Sequence, residues 1–445
     1  MCLLLWTLPN NNHPRIRFAF ASNRDECLDR PTSTAEFWDI TPPGSNNISS
    51  PGIICGVDRK PPKANLRPDR ALPGTWVGIT TEGDLVALTD YMEASTYYER
   101  PTPTPPKPTR GQLCGDFLVA MAESGHGKDQ AAAEQWIRRY AQEWDTSLEG
   151  LNLLVVQDAG DQQFIGANRE GSDLLALHEA SGRQTVLENQ TTLTSKIASA
   201  LNKVGERLHP SEDYQEEHPR ITEGAVAGLS NSVFLRPWRR VEIGVQALEA
   251  VLNKSLKRFG TDQTPRILPP VIDSSPPTPI PSENVTPIQV PFVKEQFVFD
   301  DESKELVWLV IEMLTLLRIH TRPYPGLIES FEIFATGIRD RVFIPRTGLK
   351  HLCLPHVRGE YGTRSSTVVL FGRSGRAVFV EKNWYAPLDE ETGERPIFDV
   401  DSTEGVIWWQ GQIGRPRDEW TRIKGAELEA LFDCARDSSK TAKAL

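Results

Sequence analysis

Cys2-Leu-Leu-Leu-Trp-Thr-Leu8, followed by Phe18-Ala-Phe-Ala-Ser-Asn-Arg-Asp-Glu26, is the stretch on which the reading of this chain turns. Leu3–Leu8 reads as a buried strand, Asn10-Asn-Asn-His-Pro14 as a turn, and Arg15-Ile-Arg-Phe-Ala-Phe20 as a returning strand with period-two alternation. Such a hairpin carries Asn23, Arg24, Asp25 and Glu26, at the end of the second strand, back to within hydrogen-bonding reach of Cys2. Cysteine is small enough for Met1 to be removed. One residue would then hold both a thiol and a free α-amino group of pKa ~8, a nucleophile with its own base. The plain alternatives are a small residue packing as a modest hydrophobe and a solvated turn for the charged tetrad.

The elements further along follow from the same patterns. Thr75–Ile79 and Leu85–Leu88 read as one hairpin, Leu151–Val156 and Gln163–Gly166 as another, and Ser366–Phe371 and Ala377–Val380 as the last core pair. Ala133, Trp136, Ile137, Tyr140 and Trp144 recur at helical spacing. Val241, Val245, Leu248 and Leu252 form a second helical stripe after Pro237, and Leu306–Leu317 a third after a cap-like Asp300-Asp-Glu-Ser303. Residues 41–73 are expected to form a long surface excursion, Pro101–Pro108 an extended connector, and 262–291 a disordered Pro-rich insertion. The acidic tail, 386–445, is read as a peripheral appendage whose one strongly apolar spot is Val406-Ile-Trp-Trp409.

Composition removes several function classes. With 49 basic against 60 acidic residues, a net charge of −11 argues against phosphate-backbone binding, so no nucleic acid is expected as a partner. Six cysteines without paired spacing fit reduced thiols in a cytoplasmic protein. No transmembrane segment is expected, because the apolar opening is interrupted at Pro9. Phosphate-binding glycine loops, CxxC pairs, HExxH and GxSxG are all missing. His351, Cys353 and His356 lie close in sequence but lack a second ligand pair at fixed spacing, so no metal site is assigned. Cys2 stays the best candidate, because a reactive thiolate needs nearby positive charge, which the amino terminus with Arg24 or Arg364 would supply. Asp25 would orient the α-amino group. Asn231 would donate its amide to an oxyanion, or else serve as a plain helix-entry residue before Pro237.

Met1-Cys2 with Ala21-Ser-Asn-Arg-Asp-Glu26 and Arg30-Pro31 resembles the opening of the NRDE family. The resemblance continues through Gly74-Thr-Trp-Val-Gly-Ile79, Leu85-Val-Ala-Leu-Thr-Asp-Tyr91, Arg110-Gly111, Gly150-Leu-Asn-Leu-Leu154, Gly228-Leu-Ser-Asn231 with Pro237-Trp238, and Tyr361-Gly-Thr-Arg364. It implies an α+β fold, a four-layer αββα sandwich of two mainly antiparallel sheets as in N-terminal-nucleophile hydrolases, with the NRDE domain over 1–385. Distant kinship with cysteine amidases casts Cys2 as nucleophile, Asp25 as partner of the amino group, Asn231 as oxyanion donor and Arg364 as thiolate-stabilising cation. Asn23, Arg24, Asp90 and Tyr91 complete the implied binding set. Asp90 departs from the family's Thr-Asn-Tyr, and an aspartate repels an oxyanion. The family implies a part in Golgi organisation and protein secretion, with secretory-pathway protein partners and Golgi or mitochondrial association. No cofactor is firmly implied; haem or a lipid is the expected cargo. The alternative is an amidase or acyl hydrolase of small molecules.

Overall fold

The computed structural model describes residues 2–9, 11–38, 52–60, 65–66, 72, 74–91, 108–124, 132–141, 148, 150–167, 175–178, 184–186, 226–232, 237–260, 300–319, 337–349, 359–389, 391–392 and 394–441. One eight-stranded sheet is built from β1 (Cys2–Thr7), β2 (Ile16–Cys27), β11 (Val226–Leu229), β12 (Thr347–Leu349), β13 (Gly359–Gly372), β14 (Arg376–Asn383), β15 (Val406–Gln412) and β16 (Thr421–Ile423). Its order is β11-β1-β2-β13-β14-β15-β16, with β12 on β13. The second holds β3 (Thr32–Trp38), β4 (Ile53–Asp58), β5 (Val77–Thr80), β6 (Leu85–Asp90), β7 (Leu151–Gln157), β8 (Gln162–Ala167), β9 (Leu175–His178) and β10 (Gln184–Val186), paired in chain order. Their pairings are antiparallel throughout.

Alternation along the strands sorts the side chains into layers. Leu4, Trp6, Phe18 and Phe20 face the second sheet and pack with Ile54, Ile79, Leu85 and Leu154. Leu3, Leu5, Ala19 and Ala21 face the other way, toward α3 (Arg239–Phe259) and α4 (Asp301–Leu316). On the far face of the second sheet, Val86, Leu88, Leu153 and Val155 pack on α1 (Arg110–Ser124) and α2 (Ala132–Ala141). The result is the four-layer αββα sandwich. Strand β1 is covered on both faces, which is why its run is apolar throughout rather than alternating. Two glycines set how closely the layers meet. A Cβ on Gly244 of α3 would lie 2.8 Å from a methyl of Leu5, and one on Gly160, whose φ is +111°, would lie 2.6 Å from Phe18.

The hairpins of the sequence reading are present, and Asp300 caps α4 by accepting the Ser303 N–H at 2.8 Å. Three expectations are corrected. Within 41–73, Ile53–Asp58 is a core strand with Ile53 and Ile54 fully buried; its Pro- and Gly-rich flanks hid a short apolar run. Strand β13 begins at Gly359 rather than Ser366, so Arg364 sits inside the strand, at a register break between Thr363 and Ser365. The tail is no peripheral appendage. β15 pairs with β14 from Arg376↔Gln412 to Lys382↔Val406, and Trp408 is fully buried. Leu428, Leu431 and Phe432 of α5 (Gly425–Thr441) join the α3/α4 core. Exposed ladder groups on β14 need a partner strand, and the tail supplies it. The Pro-rich 262–291, most of the 101–108 connector, and His351, Cys353 and His356 lie outside the described residues.

Candidate functional site

Strand register places Cys2, Arg24 and Ser365 in one row across β1, β2 and β13. Parity then divides the tetrad. Arg24 and Glu26 share the face of Phe18 and Phe20, between the sheets and on the side of Cys2, whereas Asn23 and Asp25 share the face of Ala19 and Ala21, toward the helices. The tetrad is therefore a stretch of buried strand rather than a solvated turn: Asn23 and Asp25 are fully buried and Arg24 is 6% exposed.

On the helix side, Asn23 Nδ2 donates to the carbonyls of Leu317 and Val342, each at 2.8 Å, and its Oδ1 accepts from Ser366 Oγ. Both ends of its head group are engaged in fastening the segments after α4 to the sheet. Asp25 Oδ2 accepts from Arg240 Nη2 at 2.8 Å and Oδ1 from Thr363 Oγ1 at 2.7 Å, while its backbone carbonyl accepts from Tyr361 OH at 3.1 Å. Both members of the Asp25–Arg240 pair are fully buried. Such a pair costs desolvation that only close geometry offsets, and losing one member leaves the other charge stranded. Arg240 escaped the sequence reading. The signal was its place four residues before Gly244 and eight before Leu248, on the buried stripe of α3.

On the Cys2 side the chain turns at Ser230-Asn231-Ser232, directly after β11. The Cys2 backbone N–H donates to Asn231 Oδ1 at 3.0 Å, and Ser230 Oγ donates to the Cys2 carbonyl at 2.9 Å. Because Oδ1 must face a donor, the amide orientation is set, and Nδ2 points away as a buried donor without a hydrogen-bond partner among the described residues. The second sheet holds this turn from across the layer. Thr89 Oγ1 donates to the Ser230 carbonyl at 2.8 Å, and Asn152 Nδ2 donates to the carbonyls of Ser230 and Ser232, each at 2.9 Å. Thr89 and Asn152 lie in the quoted blocks 85–91 and 150–154, but only the packed sheets show what they hold.

Burial pushes Cys2 up to about 11; Asp90 and Asp25 add to this, and the amino terminus and Arg24 pull against it. Arg24 lies over the Trp76 ring, 3.9 Å from its centroid. Arg364 donates to the Arg30 carbonyl, and burial together with the nearby Arg24 charge pushes its guanidinium down to about 10. Asp90 pairs with Arg110 Nη2 at 3.0 Å; burial pushes its carboxyl up, but Arg110, the amino terminus, Arg30 and Arg24 outweigh it and hold it below its ordinary value. Tyr91 donates its N–H to the Gly150 carbonyl. Among the described residues no three His, Cys, Asp or Glu side chains converge as a metal site, and no helix is long and apolar enough to cross a membrane. The five described cysteines are all free thiols.

The chain resembles a variant of conjugated bile acid hydrolase from Clostridium perfringens over 95% of this chain and 97% of that one, at 9% identity and a TM-score of 0.32, too low to carry an argument. Curated relatives are named for transport and Golgi organisation. The mouse homolog is 35% identical over 108 residues, 24% of this chain and 30% of its own length. The bovine homolog is 25% identical over 236 residues, 53% of this chain and 58% of its own. The human one is 33% identical over 108 residues, 24% and 30%. The matches thus span between about a third and somewhat over half of those relatives. The model of the family described as Transport and Golgi organisation 2 matches residues 1–386, and the chain belongs to that family.

Proposed function

We propose that this protein serves transport and Golgi organisation by binding a carbonyl-bearing small molecule, of lipid type, at the Cys2–Asn231 pair, working from the cytoplasm with secretory-pathway partners. One observation carries the binding step: Asn231, tied through Oδ1 to the Cys2 N–H, leaves its Nδ2 buried and without a hydrogen-bond partner among the described residues. A buried donor without a partner costs about 1–3 kcal/mol, which a ligand carbonyl would recover. A thiol held at about 11 stays neutral at pH 7, so the resting site suits binding better than attack. Haem is the other cargo of this reading, with Cys2 as its iron ligand, but a raised thiol pKa works against thiolate ligation. The test is protection of Cys2 from iodoacetamide by a long-chain acyl amide, read by mass spectrometry in wild type and Asn231→Leu. Protection lost in the variant supports the reading. Equal protection in both defeats it, and a Soret shift with added haem that is lost in Cys2→Ser would redirect it to haem.

A second reading, an N-terminal cysteine amidase, is favoured by the same unspent amide. Once Met1 is removed, Cys2 Sγ would attack an amide carbon held on Asn231 Nδ2. The C–S bond forms, the C–N bond breaks, and the thiol proton passes through the α-amino group to the leaving amine; water then cleaves the thioester to a carboxylic acid. Intact-mass analysis showing Met1 retained on the purified protein would exclude it.

A further inference from the structure

The tail is fastened to the two sheets with unequal strength. It lies beyond residue 386, where the family model ends. Toward its own sheet it is held firmly. Lys382 is fully buried, and its Nζ donates to the carbonyls of Asp399, Ser402 and Glu404 at 2.9, 2.6 and 2.8 Å, so the turn that leads into β15 closes around one ammonium group with every N–H spent. The chain enters β15 through Gly405, whose φ is +71°, pairs with β14 along the whole strand, and sinks Trp408 into the helix-side core. Toward the second sheet the hold is slighter. A register break in β3 between Ser33 and Glu36 takes Ala35 out of the β3–β4 ladder and turns its backbone to the first sheet. The Ala35 N–H donates to Glu381 Oε1 at 3.4 Å, and its carbonyl accepts from Trp409 Nε1 at 3.2 Å. Around that bond Phe37 stands edge-on to Trp409 and Trp420, Arg417 lies over the Phe37 ring, Arg422 pairs with an exposed Glu36, and the Gly414 N–H donates to the Thr81 carbonyl.

We propose that the tail is a door on the inter-sheet layer, hinged on β14 and shut against β3, and that its opening admits the ligand to the Cys2 end. This rests on the binding reading above and supplies its entry route. Glu381, buried on β14, lies near Arg24 at the Cys2 end of the layer and also holds Ala35, so the seam between Ala35 and Trp409 is the side wall of the site. Protein segments open locally where few buried contacts hold them. The exposed Arg422–Glu36 pair adds little, which leaves the single indole bond and the ring contacts as the catch. The Lys382 cage and the β14 ladder stay closed when that catch parts, so the tail swings without unfolding.

The experiment uses the full chain, with Cys2 labelled by iodoacetamide and, separately, by a bulky fluorescein maleimide, both read at the Cys2 peptide by mass spectrometry, and with amide exchange followed along the chain. Neither reagent depends on the ligand, so failure here and failure of the binding reading are told apart. Trp409→Phe keeps an aromatic ring and deletes the bond to Ala35. It should speed the maleimide about fivefold, the loss of one hydrogen bond at the opening step, and iodoacetamide less. Exchange should rise at 35–37 and 409–423 with β1 and β13 unchanged. Arg422→Gln should give a smaller rise in the same direction. Lys382→Met, on the hinge side, should raise exchange at 399–412, and an unchanged profile there overturns the hinge. Equal acceleration of both reagents in Trp409→Phe overturns the proposal, because it reports a changed thiol rather than a wider way in. So does labelling at the wild-type rate, whether or not exchange at the seam rises, and so does exchange that rises equally in β1 and β13.

Discussion

The layer between the two sheets has a dry end and a polar end, made by the same strands on the same face. Leu4 and Trp6 of β1 give way to Cys2, Phe18 and Phe20 of β2 to Arg24, and Phe379 of β14 to Glu381. Across the layer, Leu85 and Ala87 of β6 lead to Thr89, and Val156 and Leu154 of β7 to Asn152. At the dry end Phe18 stacks on Phe371 with centroids 5.8 Å apart, and neither ring carries a polar group to satisfy. At the polar end nearly every side chain is a donor or acceptor, and several are left unspent. Hydrocarbon packing at one end holds together an arrangement at the other that would not form by itself.

Breaking the dry end should have the largest effect. Phe20→Ala is expected to cost about 3–5 kcal/mol in chemical denaturation, because a packed aromatic leaves a cavity the sheets cannot close. A loss below about 1 kcal/mol would mean the layer is loosely packed and the contrast between its ends is unreal. Asn152→Ala comes next, at about 1–3 kcal/mol, since it takes the Asn152 donor from the Ser232 carbonyl and leaves the Ser230 carbonyl to Thr89 alone. It should also speed iodoacetamide labelling of Cys2, and unchanged labelling would show that the turn stands without the second sheet.

Smaller effects sharpen the polar end. With the thiol at about 11, Cys2 should label at pH 7 roughly two orders of magnitude more slowly than an ordinary cysteine. Asp90→Asn removes a carboxylate that raises the thiol, so its labelling midpoint should fall, whereas Arg24→Gln should raise it. Coincident midpoints in all three proteins would dissociate these charges from the thiol. The smallest effect is expected at Glu381, whose carboxyl is raised by burial. A carboxyl raised on folding binds more protons folded than unfolded, so it supports stability below its unfolded pKa and loses that support as pH rises through the folded value. Glu381→Gln should flatten this part of the melting profile above about pH 4.5 and raise Tm slightly at pH 7. A melting profile as steep as that of wild type would place the titration elsewhere.

Much of this was legible in residue order. Alternation at Phe18–Phe20, the stripe from Val241 to Leu252 and the cap at Asp300 each depend on neighbours a few positions away, so each could be read locally. Arg240, Asn152 and Thr89 could not be assigned, because each meets its partner across another layer: Arg240 and Asp25 are 215 positions apart, and Asn152 and Ser230 are 78. The tail misled for a related reason. An acidic, mixed composition describes its outer side, while β15 is fastened by backbone hydrogen bonds that composition does not encode.

The sequence by itself determined that strands would form, which residues alternate on them, and that Cys2 would return beside the Asn23–Glu26 tetrad. Those outcomes follow from hydrophobic period and chain reach, which are local. Only the tertiary structure decided that Asp25 pairs with Arg240, that Asn231 accepts the Cys2 N–H while its Nδ2 finds no partner among the described residues, and that burial raises the Cys2 thiol to about 11. Hydrogen-bond partners and dielectric surroundings are properties of the packed layers, and they exist only once two sheets have closed over Cys2.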